Sequence, residues 1–265
     1  MLYKTDYHIH TFYSDGKATP EQYIEAAIAA GFQEIGFSEH LNLVVDNQEW
    51  CMDILKVPDY ISHIKSLAKT EKRIKVRLGF EVDYFPGKEN LIYEFINKID
   101  LDFIIGSVHY LGDTTVDSSP DYYNGKNIDD VYQAYFDLVN EAAASGLFDI
   151  IAHCDLVRIY NFKPVADPEP LYRKLARKMS RHDIAFEINT NGRNRPLADF
   201  YPDRRFLRIF SEENVPVCVN SDSHMPERLG QHFNEAYGLL RDAGYKEMAV
   251  FSKRERFMVP ADFFP

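Results

Sequence analysis

The chain predicts a single-domain α/β fold, a barrel close to the (β/α)8 type with seven strands. Three observations carry that expectation. Short runs dense in Val, Ile and Phe alternate with amphipathic helical segments along most of the 265 residues, the rhythm of right-handed βαβ units. No low-complexity linker interrupts the alternation. Each of the seven apolar runs also ends in side chains able to ligate a metal, and in an α/β barrel all C-terminal strand ends face one mouth. A doubly wound open sheet satisfies the first two observations and stays open as the alternative.

The expected strands are residues 2–10, 34–40, 74–83, 102–110, 148–155, 184–191 and 215–224, whose Val, Ile and Phe content suits strands buried on both faces. The first helix is expected over 18–31, with Thr19 as N-cap, Pro20 at the first helical position, Gln22 closing a capping box and Gly31 as the stop. Further helices are expected over 57–72, 88–99, 127–146, 169–182, 203–214 and 227–244.

Composition narrows the function. A net charge of −11 argues against nucleic acid as a main partner, because counterion release needs a basic surface. No apolar stretch approaches the ~18 residues that span a bilayer, and the segment MLYKTDYHIH lacks the apolar run of a signal peptide. Cys51, Cys154 and Cys218 are sparse and without CxxC spacing, so reduced thiols and a cytoplasmic location are expected.

The strand ends carry His8 and His10, Glu39 and His40, Glu81 and Asp83, His109, His153 and Asp155, Glu187 and Asn189, and Asp222 and His224. Six of the nine histidines fall there, whereas His63, His182 and His232 belong to helices or their ends. In HxH the two rings point to the same face of an extended chain and can converge on one ion. A single strand-end histidine is ordinarily a hydrogen-bonded structural residue, and Glu81 alone could be a salt-bridge partner. Together these groups would form a costly buried polar cluster without cations. Imidazole and carboxylate suit zinc, manganese or iron(II). They are too many for one ion, so two or three divalent ions sharing bridging carboxylates are expected.

The stretches HIHTFYSDG, FSEH, GFEVDY, GSVHY, AHCD and NSDSH resemble the successive motifs of the polymerase-and-histidinol-phosphatase (PHP) superfamily over nearly the whole chain. FEINTNGRNRP and the following YPDRRFLRIFSEENVPVCVNSDSH are similar to its histidinol-phosphate phosphatase branch. The resemblance implies a distorted (β/α)7 TIM-like barrel over residues 1–265 with a trinuclear centre. It implies a first ion on His8, His10, Glu81 and Asp222, a second on Glu81, His109 and His153, and a third on Asp15, His40 and His224. It implies hydrolysis of a small phosphorylated metabolite, L-histidinol phosphate, by a metal-bound water among Glu81, Asp222 and His224. By resemblance, Arg158 and one of Arg193 and Arg195 would clamp the phosphate, with Arg195 favoured.

Three divalent ions against Asp15, Glu81 and Asp222 leave the mouth at about +3, so an acidic protein can still receive a phosphate dianion. No GxSxG elbow or P-loop competes with this reading. Specificity is expected from loops 41–57, 110–126 and 156–167, which carry Trp50, Tyr110, Tyr122, Tyr123, Tyr160 and Phe162 with Asp46, Asp117 and Asp121. Aromatic rings and acids suit an imidazole and an ammonium, although each ring could simply pack its loop onto the barrel. The alternatives are a PHP phosphoesterase for another metabolite or nucleotide, an amidohydrolase, and a non-enzymatic metal-binding module.

Overall fold

The computed structural model describes residues 2–45 and 48–261. Seven parallel strands wind in the spatial order β1 (Thr5–Asp6), β2 (Glu34–Leu41), β3 (Lys75–Asp83), β4 (Phe103–Ser107), β7 (Ile150–Ile151), β8 (Ala185–Asn189) and β9 (Val217–Asn220). Between β4 and β7 lies a small hairpin of β5 (Tyr110–Leu111) and β6 (Thr114–Thr115). The nearly closed barrel is of the TIM-like type and forms one domain. Its seam runs between β9 and β1, where His10 N donates to Ser223 O at 2.9 Å and Ser223 N to His8 O at 3.1 Å.

Six of the seven strands are shorter than expected, and the three shortest end where side chains or turns take over from the ladder. Beyond Asp6 the first run leaves the β2 ladder, and side chains take over its amides. Tyr7 N donates to Asn220 Oδ1 at 2.8 Å and Ile9 N to Ser38 Oγ at 3.1 Å. In return, Ser221 N donates to Asp6 Oδ1 at 3.0 Å. The run 148–155 keeps only Ile150–Ile151 as strand, because the chain turns at His153 into a single 3-10 turn over Leu156–Arg158. In 215–224, regular pairing ends at Asn220, and Asp222 turns through a left-handed φ of 49°. The HxH pair therefore sits on a side-chain-braced seam rather than on a regular strand.

The helices are α1 (Pro20–Ala29), α2 (Val57–Thr70), α3 (Glu89–Ile96), α4 (Ile128–Ala144), α5 (Glu169–Arg181), α6 (Leu207–Glu212) and α7 (Phe233–Ala243). Helix α1 begins with the expected Thr19–Gln22 capping box, and Gly31 adopts φ +74° just beyond its end. Helices α6 and α7 are shorter than expected because 3-10 turns at Arg204–Phe206 and Pro226–Arg228 take up the preceding residues. Each helix buries one apolar stripe. That of α4, for example, is built from Val131, Tyr135, Phe136 and Val139. Among the described residues no helix is long and apolar enough to cross a membrane.

A C-terminal hairpin, β10 (Glu247–Ser252) and β11 (Glu255–Pro260), was not foreseen and closes the end of the barrel opposite the ligands. Its turn residues Lys253 and Arg254 both have positive φ, 54° and 63°, as a type I′ turn requires. Phe251 meets Tyr7 edge-on at 5.5 Å, and Tyr7 meets Phe103 at 5.1 Å. Those rings fill the barrel interior together with Ile105, Ile150 and Cys218. Gly36 and Gly79 leave the room that the Phe103 ring occupies: a Cβ at Gly79 would lie 2.5 Å from its Cζ. The apolar plug fixes the lower half of the barrel and leaves polar chemistry to the upper half. Gly79→Ala should therefore lower stability by about 1–3 kcal/mol through overpacking, read as a lower thermal midpoint with an unchanged far-ultraviolet circular dichroism spectrum.

Candidate active site

The upper mouth gathers all nine residues expected to bind metal. Ligand atoms of His10, Asp15, His40 and His224 lie within 4.8 Å of one another, as do those of His8, His10 and Asp222, of His8, Glu81 and His153, and of His40, Glu81 and His109. Glu81 is central and only 1 % exposed. Its Oε2 lies 3.1 Å from His8 Nε2, 3.5 Å from His10 Nε2 and 2.7 Å from His40 Nδ1. Its Oε1 lies 3.1 Å from His153 Nε2 and 3.6 Å from His109 Nε2. Asp222 Oδ1 stands 3.5 Å from His10 Nε2 and 3.8 Å from His8 Nε2. Asp15 reaches His224 at 3.2 Å and His40 at 3.8 Å.

Outer carboxylates orient the rings. Glu187 lies 3.0 Å from His8 Nδ1 and also accepts from His153 N, Asn189 Nδ2 and Asn220 Nδ2. Asp83 lies 2.7 Å from His109 Nδ1 and accepts from Asn42 Nδ2 at 3.0 Å. Each frees the opposite ring nitrogen to face the mouth, as carboxylate partners do for metal-ligating histidines. Glu39, grouped with the strand-end candidates, points away from the cluster. It takes Thr11 N at 3.0 Å and the hydroxyls of Thr11 and Ser14 at 2.6 and 2.5 Å, which ties down the loop that carries Asp15.

Burial would push the Glu81 carboxyl up, but the His40 and His8 imidazoles hold it well below its ordinary range. Asp222 is likewise lowered against burial, chiefly by His8 and His10. Burial, aided by the neighbouring His40 and His224, drops His10 to about 3, so its ring is neutral. Burial opposes protonation of His109, yet the Asp83 carboxylate raises it to about 10. His10 as a neutral ring beside ionised Glu81 and Asp222 is already in the state a cation needs, whereas His109 must give up a proton to bind one. The residues present fit divalent metal: His8 Nε2, His10 Nε2 and Glu81 Oε2 are fully buried and find no hydrogen-bond partner among the described residues. The N and O donor set suits zinc, iron or manganese.

A cleft of about 250 Å³ opens over the cluster, walled by Trp50, Asp117, Asn191, Arg195 and Tyr201. Trp50 stands edge-on to His40 at 4.9 Å and to His109 at 5.2 Å. Arg195 lines this cleft and Arg158 does not. Arg158, expected at the phosphate, is 8 % exposed and bound to Asp155 at 2.9 Å, Asp199 at 3.2 Å and Phe200 O at 3.1 Å. Those acids hold its guanidinium in a separate 460 Å³ cavity behind the loop. Arg193 turns to Ala198 O at 2.9 Å and to Glu235 at 3.2 Å.

Most of the loop aromatics pack rather than face the cleft. The Tyr123 hydroxyl donates to Val157 O at 2.9 Å while its ring stacks on Phe162 at 4.8 Å. Tyr160 donates to Asp117 O at 2.5 Å, Tyr110 packs on Phe85 at 5.0 Å, and Lys126 covers Tyr122. Asp121 belongs to an exposed 3-10 turn, and Asp46 lies outside the described residues. Asn191 and Tyr201 were not singled out in the sequence. Their one signal is position, since both lie in the segment that follows strand β8.

The profile of the PHP domain family matches residues 6–191. The chain belongs to the PHP domain family. A Deinococcus radiodurans protein named "Probable histidinol-phosphatase" is 33 % identical over 262 residues, covering 96 % of this chain and 98 % of that protein. The histidinol-phosphatase of Lactococcus lactis is 26 % identical, with 94 % of each chain covered. A crystal structure of the Lactococcus lactis histidinol phosphate phosphatase, complexed with zinc, L-histidinol and phosphate, superposes with a TM-score of 0.85 at 25 % identity, covering 97 % of this chain and all of that one.

Within this PHP mouth, the outer carboxylates should control metal affinity without belonging to the ligand set. Asp83→Asn and Glu187→Gln should each weaken zinc binding roughly 10- to 100-fold in competition with a chromophoric chelator. Unchanged affinity in both variants would remove Asp83 and Glu187 from that role.

Proposed function

We propose that the chain is a metal-dependent histidinol-phosphate phosphatase, converting L-histidinol phosphate and water to L-histidinol and phosphate in histidine biosynthesis. The observation that carries this reading is the convergence of nine imidazole and carboxylate ligands at the mouth of a barrel that matches the zinc- and histidinol-bound phosphatase end to end. Two or three divalent ions, zinc, iron or manganese, would be held by His8, His10, Glu81 and Asp222, by Glu81, His109 and His153, and by Asp15, His40 and His224. When bound, such ions supply Lewis-acid charge and lower the pKa of water toward neutrality.

The chain's own residues set the geometry. Glu81 and Asp222 stay ionised against the imidazoles and give the cations their anionic seat. Arg195, the arginine of the cleft wall, offers a planar fork for two phosphate oxygens. A new bond from water oxygen to phosphorus forms as the bond from phosphorus to the alcohol oxygen breaks, and the departing alcohol takes up a proton. Trp50 and Asp117, elsewhere on the cleft lining, suit the imidazole and ammonium of the alcohol. The small volume of the cleft favours a metabolite over a polymer, in keeping with the chain's negative charge.

The zinc-loaded chain should release phosphate from L-histidinol phosphate with kcat/KM at least about tenfold above that for p-nitrophenyl phosphate or AMP, a preference equivalent to one charge-assisted hydrogen bond. Equal rates across the panel would instead favour a PHP phosphoesterase for other small phosphorylated compounds. Chelation should abolish turnover, and re-addition of metal should restore it. Arg195→Ala should lower kcat/KM roughly 10- to 100-fold, the loss expected of charged hydrogen bonds to phosphate, with the thermal midpoint unchanged.

A further inference from the structure

Tyr201 ends the loop after β8, and its backbone is fastened on both sides. Asn189 N donates to Tyr201 O at 2.8 Å, and Tyr201 N donates to Asn189 O at 3.1 Å. Gly192 lets the ring lie close, since a Cβ there would come within 2.9 Å of the Tyr201 ring. The residue is 2 % exposed, and its ring stands 6.3 Å from that of His153. Its hydroxyl nevertheless has no hydrogen-bond partner among the described residues, although the side chain forms part of the cleft wall beside Arg195 and Asp222.

The buried hydroxyls of Tyr110 and Tyr135 are also without a hydrogen-bond partner among the described residues, but neither residue lines the cleft, and other tyrosines spend their hydroxyls within the fold. The hydroxyls of Tyr123, Tyr160 and Tyr172 donate to Val157 O, Asp117 O and Asp155 Oδ2 at 2.9, 2.5 and 2.5 Å. A buried hydroxyl left unpaired is costly, and such a cost persists where a bound molecule meets it. Burial and then the Asp155 carboxylate push the phenol well above its ordinary pKa, with Arg195 opposing them, so the group stays protonated and able to donate. Arg195 repels an ammonium and attracts a dianion, which settles which end of the substrate meets this wall.

We propose that Tyr201 is a substrate-binding residue whose hydroxyl donates a hydrogen bond to a non-bridging phosphate oxygen, between His153 and Arg195. The proposal rests on the phosphatase reading above. It assigns the phenol to the phosphate group shared by substrate and product, so inorganic phosphate itself is a sufficient probe.

Tyr201→Phe keeps the ring and removes the donor. Calorimetric titration of the zinc-loaded chain with inorganic phosphate should show the phosphate Kd rising roughly 10- to 100-fold, the range of a charge-assisted hydrogen bond. KM for L-histidinol phosphate should rise with it. Zinc per chain should be unchanged, and Tm should hold or rise, because no intramolecular bond is lost. Tyr123→Phe is the contrast: its hydroxyl is spent on carbonyls, so Tm should fall while phosphate Kd stays. In the parent chain, phosphate should also shift the near-ultraviolet tyrosine band, a shift that Y201F lacks and that gives a reading independent of the variant's stability. A phosphate Kd in Y201F within twofold of the parent, or a rise that merely tracks lost zinc, would overturn the Tyr201 role alone. A parent chain that binds no phosphate would overturn the phosphatase reading and this proposal with it.

Discussion

A single carboxylate, buried among five imidazoles, is the constraint on which the upper half of this barrel depends. Glu81 meets His8, His10, His40, His109 and His153 within 3.6 Å, and these five come from four separate strand ends. An ionised carboxylate out of water is tolerable only if its partners are placed well and their own far atoms are satisfied. Strand placement, loop direction and outer hydrogen bonds must therefore all agree. The seam illustrates the demand. Asn220 accepts from Tyr7 N and donates to Glu187, and Glu187 in turn holds His8. One side chain thus closes the barrel and aims a ligand.

Division of labour along the barrel axis follows from the same constraint. A mouth packed with acids and imidazoles contributes little hydrophobic stabilisation, so burial of apolar area must come from elsewhere. The Phe103, Tyr7 and Phe251 stack fills the lower interior, and the C-terminal hairpin seals it. Polar closure at that end is local: Arg77 pairs with Glu34 at 2.7 Å and donates to Ser252 Oγ at 2.8 Å. A rigid floor keeps the strand ends in register, and the register keeps Glu81 opposite its five rings.

The strand–helix alternation and the ligand set were legible before any coordinates because both are periodic or chemically conspicuous. Strand lengths were less so. Runs such as DYHIH and FDIIAHCD have strand composition, but side chains of Asn220, Ser38 and Glu187 take amides that a ladder would have used. The floor hairpin escaped notice because its turn is Lys253–Arg254, not the Asn-Gly that usually announces a type I′ turn. Arg158 is harder still. Its place at the phosphate was implied by the family resemblance alone, and only the folded chain brings Asp199 to the guanidinium that Asp155 also engages. A matching motif reports which residue types stand at a position but not what else in the fold competes for them.

Order of assembly follows from the charges at the mouth. Asp15, Glu81 and Asp222 face the cluster while Asp83, Glu187 and Glu39 stand behind it, and Arg195 is the arginine on the cleft wall. Without cations this region repels a phosphate dianion and attracts metal. Divalent ions reverse the sign of the local field, since a bound ion is the largest charge in such a site. The outer carboxylates would deepen the first attraction from behind the ligands, and the hydrogen bonds of Glu187 to His8 and of Asp83 to His109 would spread that charge into the rings. On the proposed function, phosphate affinity would be a property of the loaded centre, and selectivity would fall to the groups at the rim, where Trp50, Asp117 and Asn191 stand. An acidic protein can in this way build a site for an anion: the charge that attracts the substrate arrives with the metal, and the fold has only to hold its ligands apart from one another's repulsion.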